Sequence, residues 1–578
     1  MTAGTAPGTR TAAGPVTADP PDRRPPRRRV PALILAATAL HLALMAMCTV
    51  LYPAFTGPDE TFHVDLAYAY SKGHGPYPPG GRPLARGIEV VYGGLTVPPA
   101  DGPYADAPVR PRGQRPSIEA AGGDARAQGY PVPNQMVQHP PLYYLIEAGV
   151  LRLPGVDRLP YDRQVALLRW VSVLMVAPLP LLAWATARRL VGDGPVALTA
   201  GVLPVTLPGL SHIGAVVNND NLLILAVALL ALPLARVLTG DLRARTGALV
   251  GLLLGLALLA KGLALVLPVA VAAAYLVAWP RHRRRPLMPL AVAAVVSAGL
   301  GGWWWVRNVV LFHTVQPDGL GPAWGTLFSG PPSPGRTWLD FAPAFARRLS
   351  ARFWGGLGYP DAPQLPEWVT GGWLVALVAG ALVGVAVGIG GRCGRAAAST
   401  LALPAVGFTA LIFYGAGTAY VFNGRLPGIH GRYVYAGLTG LAVLFAIGVG
   451  RLGGRLGRLV PLLLLAAGLL THLWAWRLLV AQWWVPRHTV GDHGAMLRGA
   501  IGAIRLWSPW PTVPTLAPFV AVVVLSPAAL LAAALATRRP REPSPEPSPE
   551  PSPPAGIDDR DDLAEPAADA AAETTARR

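Results

Sequence analysis

Residues 243–285 read RARTGALVGLLLGLALLAKGLALVLPVAVAAAYLVAWPRHRRR. Between the two basic ends lies an apolar run broken once, at Lys261-Gly262. A membrane-spanning helix takes about 20 mostly apolar residues. The run is therefore one long tilted helix or a hairpin of two short ones. Charge separates the two, because short loops rich in Lys and Arg stay on the cytoplasmic side. Besides the clusters at the ends of this stretch, basic residues gather at Arg23 to Arg29, Arg188-Arg189, Arg392 with Arg395, Arg451 to Arg458 and Arg538 to Arg541. All seven clusters share one face only if 247–279 crosses twice, at 247–260 and 264–279. Lys261 then sits at the outer mouth of the hairpin.

The rest of the chain fits that parity. Further apolar runs lie at 30–51, 165–190, 196–214, 221–238, 287–306, 370–389, 397–414, 433–450, 459–480 and 516–536. The expected fold is an all-α integral membrane protein of about twelve transmembrane helices spanning 30–536, with both termini cytoplasmic. Of the 578 residues 52% are hydrophobic and 14% charged, against roughly 25% charged in an average soluble domain. The net charge of +18 then reports helix orientation before it reports a partner, and nucleic acid is not expected as one. Residues 1–29 are Pro- and Arg-rich and 537–578 carry a Pro/Ser/Glu repeat with an acidic end; both are expected to be disordered. Cys48 and Cys393 fall on opposite faces and cannot pair. Trp303 to Trp305, Trp368, Trp373, Trp483 and Trp484 fall at outer helix ends, where an interfacial aromatic belt is expected.

Three outer segments are long: 52–164, 307–369 and 481–515. The spans are nearly free of carboxylates, whereas a carrier concentrates ionisable groups near the bilayer midplane. Chemistry at the outer membrane–water interface is favoured. The first outer segment opens with Pro58-Asp59-Glu60-Thr61-Phe62-His63. Pro followed by acids starts a helix, here a short interfacial one running to Tyr70. Asp59 and His63 lie one turn apart on it. The segment closes with Gln138-His139-Pro140-Pro141-Leu142-Tyr143-Tyr144, which starts a second juxtamembrane helix. Asn218-Asn219-Asp220 read as the cap of a span. Lys261, Arg307 and Arg432 are cations at outer helix ends, where such side chains snorkel to the interface. Thr337 to Trp354 carries Trp338, Phe341, Phe345, Leu349 and Phe353 at helical spacing beside Arg347, Arg348 and Arg352, an amphipathic interfacial pattern.

Further stretches follow in order: Leu259-Ala260-Lys261-Gly262, Trp305-Val306-Arg307-Asn308, Phe353-Trp354-Gly355-Gly356-Leu357-Gly358-Tyr359 and Gly431-Arg432-Tyr433. With the Pro58-Asp59-Glu60 and His139-Pro140-Pro141 motifs, this set resembles the GT-C superfamily of membrane glycosyltransferases over most of residues 30–480. It is most similar to a branch of predicted bacterial membrane proteins. Better-known branches carry Lys or Glu before Pro-Pro, where this chain has Gln138-His139. The resemblance implies a sugar donor linked to a polyprenyl phosphate, an envelope glycan, glycolipid or protein acceptor, and inverting transfer of a hexosyl or pentosyl group at the outer face of the plasma membrane. It implies Asp59 as general base, with Glu60 the second candidate. His63, His139, Lys261, Arg307, Arg432 and Tyr433 would bind substrate. No cofactor is certain; a divalent metal at Asp59 and His63 stays open. The competing readings are a lipid-linked glycan flippase or ligase and a secondary transporter of envelope assembly.

Overall fold

The computed structural model describes residues 29–93, 103–282, 285–321, 331–332, 335–358, 364–389 and 394–538. All but Arg538 belong to one unit, Met1–Thr537. The expectations for residues 1–28 and for Tyr359 and Cys393 lie outside the described residues, as does nearly all of the tail. Among the described residues the fold is all-helical, with two isolated β-bridges and no strand.

Ten helical stretches are long and apolar enough to cross a membrane. They are Ala32–Leu51, Tyr161–Val191, Asp220–Leu238, Gly262–Pro280, Leu287–Phe312, Glu367–Val387, Gly394–Asn423, Gly431–Leu452, Gly454–Trp483 and Thr512–Ala536. The remaining two apolar runs of the sequence are shorter helical stretches, Pro195–Thr206 and Ala244–Leu258. Chain chemistry sets the breaks. Lys261 is extended, at φ −161° and ψ 152°, and divides Ala244–Leu258 from the helix that follows. Pro178 separates Tyr161–Val176 from Leu179–Val191. The glycine-rich stretch Ala298–Gly302 widens into a π turn inside 287–312.

The first outer segment folds as the sequence predicts, with helices Glu60–Ser71 and Leu142–Leu151 packed together. Helix Trp338–Trp354 opens with a capping box between Thr337 and Asp340. Its Phe341, Phe345 and Phe353 are buried, while Arg347 and Arg348 are exposed. Helix His493–Trp507, not anticipated, lies between the last two long helices.

The tryptophan belt needs revision. Trp303 and Trp368 are well exposed, as a belt requires. Trp304, Trp305, Trp483 and Trp484 are buried. Trp484 donates its indole N–H to the Leu51 carbonyl at 3.1 Å, and Trp483 meets Tyr52 edge-on at 5.6 Å. Trp484 ties the end of Gly454–Trp483 to the end of Ala32–Leu51, because a large ring with one N–H is an efficient buried anchor once that N–H is paired.

Candidate functional site

The turn 57–60 is held from three sides. Asn218 Nδ2 donates to the Pro58 carbonyl at 3.2 Å, and Arg432 Nη1 reaches the same oxygen at 3.4 Å. From below, the Glu60 carboxylate receives Arg169 Nε at 2.8 Å and Nη2 at 2.6 Å, together with the Val217 and Gly57 amides at 3.0 and 3.3 Å. Arg169 spends its other donors on the carbonyls of Thr49, Tyr52 and Pro53. Glu60 is fully buried, with both oxygens occupied. It faces away from Asp59 and works as a staple tying the first outer segment to two spans.

Asp59 precedes helix Glu60–Ser71 in the left-handed region, at φ 59° and ψ 11°. The sequence placed it within the helix's first turn. The left-handed backbone instead turns its carboxylate towards Arg432. Asp tolerates this conformation better than most residues, at a cost of roughly 1 kcal/mol. Arg432 Nη2 donates to Asp59 Oδ2 at 2.6 Å. Arg432 Nε lies 3.3 Å from Asp220 Oδ2, and Lys261 Nζ donates to Asp220 Oδ1 at 2.7 Å. A chain of alternating charge, Asp59–Arg432–Asp220–Lys261, thus runs through the site. Tyr433 stacks under it, its ring 4.7 Å from Lys261 Nζ and 5.2 Å from the Arg432 guanidinium carbon.

Three imidazoles surround the chain. His63 Nδ1 lies 3.0 Å from the Tyr144 hydroxyl. His139 has a buried Nδ1 without a partner. His430 approaches Arg352 Nη1 at 3.3 Å and meets Tyr433 edge-on. Burial, then Lys261 and Arg432, hold His63 well below its ordinary value. Burial also lowers His139, with Lys261, His63 and Arg432 adding to it and Asp59 opposing. For His430 burial leads again, followed by Arg432 and Arg352. All three are held towards the neutral imidazole. Burial pushes the Asp59 carboxyl up. Arg432, with His430 and Lys261, outweighs burial and holds it below the usual carboxylate range.

The structure therefore gathers Asp59, His63, His139, Lys261, Arg432 and Tyr433. Arg307 lies at the margin: Nη1 donates to Asn308 Oδ1 at 3.1 Å, and the guanidinium rests over Trp304 and Phe312. Its charge is felt at Tyr70, which stacks on Tyr144 at 6.3 Å. For a metal, Asp59 and His63 are committed elsewhere, to Arg432 and Tyr144. Among the described residues no group of three or more His, Cys, Asp and Glu side chains is arranged to hold one.

Asp220 and His430 join the site without having been singled out for it, and Arg352 joins from the amphipathic helix Trp338–Trp354. Asp220 read as a cap, yet its side chain makes no capping bond and ties Lys261 to Arg432. Its signal was being an acid in spans otherwise poor in acids. Arg352 and His430 line a cavity of about 50 Å³ with Arg432, Gly356 and Gly358. Beside it, an apolar groove of about 510 Å³ runs between Trp338–Trp354, Glu367–Val387, Gly394–Asn423 and Gly431–Leu452, lined by Phe353, Leu377, Val385, Ala402, Phe413 and Leu441.

An all-helical multi-pass membrane protein with a buried acid–guanidinium site beside an apolar groove is the class these features define. Residues 138–305 match the family described as dolichyl-phosphate-mannose-protein mannosyltransferase. That segment runs from Gln138 to Trp305 and takes in His139, Asp220 and Lys261. The GT-C resemblance drawn from the motifs is borne out to the extent of this match over residues 138–305. No curated protein matches the chain. Among solved structures it is similar to ArnT from Cupriavidus metallidurans bound to undecaprenyl phosphate, at 14% identity and a TM-score of 0.46, covering 87% of this chain and 74% of that one. The same protein in the apo state gives 15% and 0.44, covering 86% and 75%. The Archaeoglobus fulgidus oligosaccharyltransferase in the apo form gives 12% and 0.38, covering 83% of this chain and 56% of that one.

Proposed function

We propose that this protein moves a sugar from a polyprenyl-phosphate carrier to an envelope acceptor at the outer face of the plasma membrane, with both termini cytoplasmic and Asp59 as general base. The observation that carries this reading is the Asp59–Arg432 pair at 2.6 Å, set beside a small cationic cavity and a long apolar groove.

The roles follow from chemistry. The acceptor hydroxyl attacks the anomeric carbon as the bond from that carbon to the phosphate oxygen breaks. The proton passes to Asp59, and the polyprenyl phosphate leaves with its negative charge, inverting the anomeric centre. A phosphate needs no strong acid to leave, only charge placed where its own develops. Arg432 with Arg352 supplies that in the small cavity, where His430 adds an uncharged imidazole, and Lys261 steadies Asp220 behind it. Fork-shaped guanidinium donors suit phosphate oxygens better than a point charge does. The prenyl tail follows the groove, whose lining of Phe, Leu, Val and Ala side chains matches a hydrocarbon chain.

In the resting state Arg432 makes Asp59 a poor base, because a carboxylate held low in pKa accepts a proton weakly. A donor phosphate competing for Arg432 frees Asp59 and raises its basicity only when the donor is in place. Asp220 gives the guanidinium a second anchor during that exchange. The test is reconstitution. Purified protein in proteoliposomes, given a radiolabelled polyprenyl-phosphate-sugar pool and envelope extract, transfers label to the extract. Retention of all label on the carrier, with protein shown to be folded, would falsify the proposal.

A further inference from the structure

A second set of cations lies apart from this site. Helix His493–Trp507 ends in a turn whose carbonyls are collected by arginines from elsewhere. Arg112 Nε donates to Ser508 O at 3.0 Å, Arg115 Nη2 to Leu506 O at 2.6 Å and Arg163 Nε to Pro509 O at 3.2 Å. Arg505 itself belongs to that last turn, and its Nε donates to Thr512 Oγ1 at 3.1 Å. Arg110 borders the same place, next to Tyr161 and Trp507. Asp162 pairs with Arg115, which is buried. Among the described residues, Arg110, Arg112, Arg163 and Arg505 make no ion pair.

Depth in the bilayer follows from connectivity. The turn leads at Thr512 into the long apolar helix Thr512–Ala536, and Arg163 is in the first turn of the apolar stretch Tyr161–Val191. Both chains enter the hydrocarbon here, so the cluster sits at headgroup level. It lies on the same membrane face as Asp59, since residues 52–160 connect two consecutive spans. The loop arginines Arg188 and Arg189 end the 161–191 span and lie on the opposite face. Arg110 and Arg505 are exposed, and Arg112 and Arg163 are half-buried. Burial and the neighbouring Arg115, Arg163 and Arg505 draw the Arg112 pKa down, as crowded like charges do.

The Ser508 and Pro509 carbonyls hold Arg112 and Arg163, the Thr512 hydroxyl holds Arg505, and Arg110 stands exposed beside them. Guanidinium donors of this kind fork onto phosphate oxygens. We propose that Arg110, Arg112, Arg163 and Arg505 form a binding site for the phosphate of an anionic phospholipid in the leaflet on the Asp59 side. The bound lipid would seat helix His493–Trp507 on the membrane. This site is separate from the one assigned to sugar transfer and stands or falls without it.

The full chain is purified from vesicles of equal phosphatidylglycerol and phosphatidylcholine, and retained lipid is counted by native mass spectrometry. The wild type retains phosphatidylglycerol in preference. Each cation near a charged headgroup changes binding about fivefold, so Arg110→Gln with Arg505→Gln lowers that preference roughly 25-fold. Both residues are exposed, and the unfolding midpoint of the double variant stays at the wild-type value. The matching Arg→Lys pair keeps the charges but not the forks, so it retains more of the preference than the Gln pair and less than wild type. Three results overturn the proposal. One is equal retention of the two lipids by the wild type. Another is undiminished preference in the Gln pair. The last is displacement of the lipid by millimolar inorganic phosphate, which would mark a free-anion site instead.

Discussion

Asp59 and Glu60 are adjacent acids with opposite assigned roles, and exchanging each for its amide separates them. Glu60 accepts two bonds from Arg169, at 2.8 and 2.6 Å, and two from backbone amides, at 3.0 and 3.3 Å, with no exposure to solvent. Glu60→Gln removes the charge and points an NH₂ at donors. Arg169 is left as a buried cation whose remaining partners are carbonyls. Breaking one side of such a pair costs about 3–5 kcal/mol. At roughly 2 °C per kcal/mol, the low end of the scaling for soluble domains, the unfolding midpoint falls by about 6–10 °C. Asp59→Asn behaves differently. Asn is at home in the left-handed backbone, and the Asp59 side chain is 27% exposed. Arg432 keeps Asp220, so the loss stays near about 1 kcal/mol. The assay is thermal unfolding of both variants in one detergent, followed by tryptophan fluorescence, with sugar transfer measured below the lower midpoint. Glu60→Gln is unstable but transfers at a rate near wild type per folded molecule. An unshifted midpoint with transfer abolished would refute the staple and make Glu60 the chemical group.

Other outcomes follow from the same geometry. Because Arg432 holds Asp59 low, the acid limb of kcat/KM lies below the usual carboxylate range; in Arg432→Gln the Asp59 pKa rises and the limb moves to higher pH, which a pH–rate profile of each protein checks. Gly431→Ala would place a Cβ 2.4 Å from the Phe353 Cα and amide nitrogen, so the backbone must move and the variant loses about 3 kcal/mol or more, read as a lowered unfolding midpoint. Asp220→Asn strips buried Lys261 of its carboxylate and costs about 3–5 kcal/mol, again visible in thermal unfolding. Ala402→Trp fills the apolar groove, raising KM for the prenyl-linked donor while leaving the unfolding midpoint within about 2 °C, since a groove wall has room that a packed core lacks.

Apolar length and loop charge made the membrane architecture legible. Each of the twelve apolar runs is helical in the structure, and the break at Lys261 falls where the positive-inside argument needs it. The interfacial helices after Pro58, after Pro141 and after Thr337 were also readable, since each starts with a recognisable cap or proline. Helix His493–Trp507 escaped because Gly494, Gly499 and Gly502 dilute its pattern. Site pairings were harder. Glu60 finds Arg169 across 109 residues and Asp59 finds Arg432 across 373, and nothing local encodes either partnership. Motif order brought Asp59, His139, Lys261 and Arg432 to one list, but which acid acts and which anchors depended on burial. Arg352 and His430 were hidden for the same reason: an arginine on an amphipathic helix and a histidine before a glycine look ordinary until the chain folds them around one cavity.

The most direct measurement compares transfer by wild type and Asp59→Asn in proteoliposomes, together with binding of the prenyl-phosphate donor to each. Removing a general base at this position lowers the transfer rate by about 10²–10⁴-fold. Donor binding stays equal or tightens, because Arg432 no longer has to be taken from Asp59. Transfer within a factor of about three of wild type, well short of what loss of a general base costs, would contradict the assignment of Asp59 as the base.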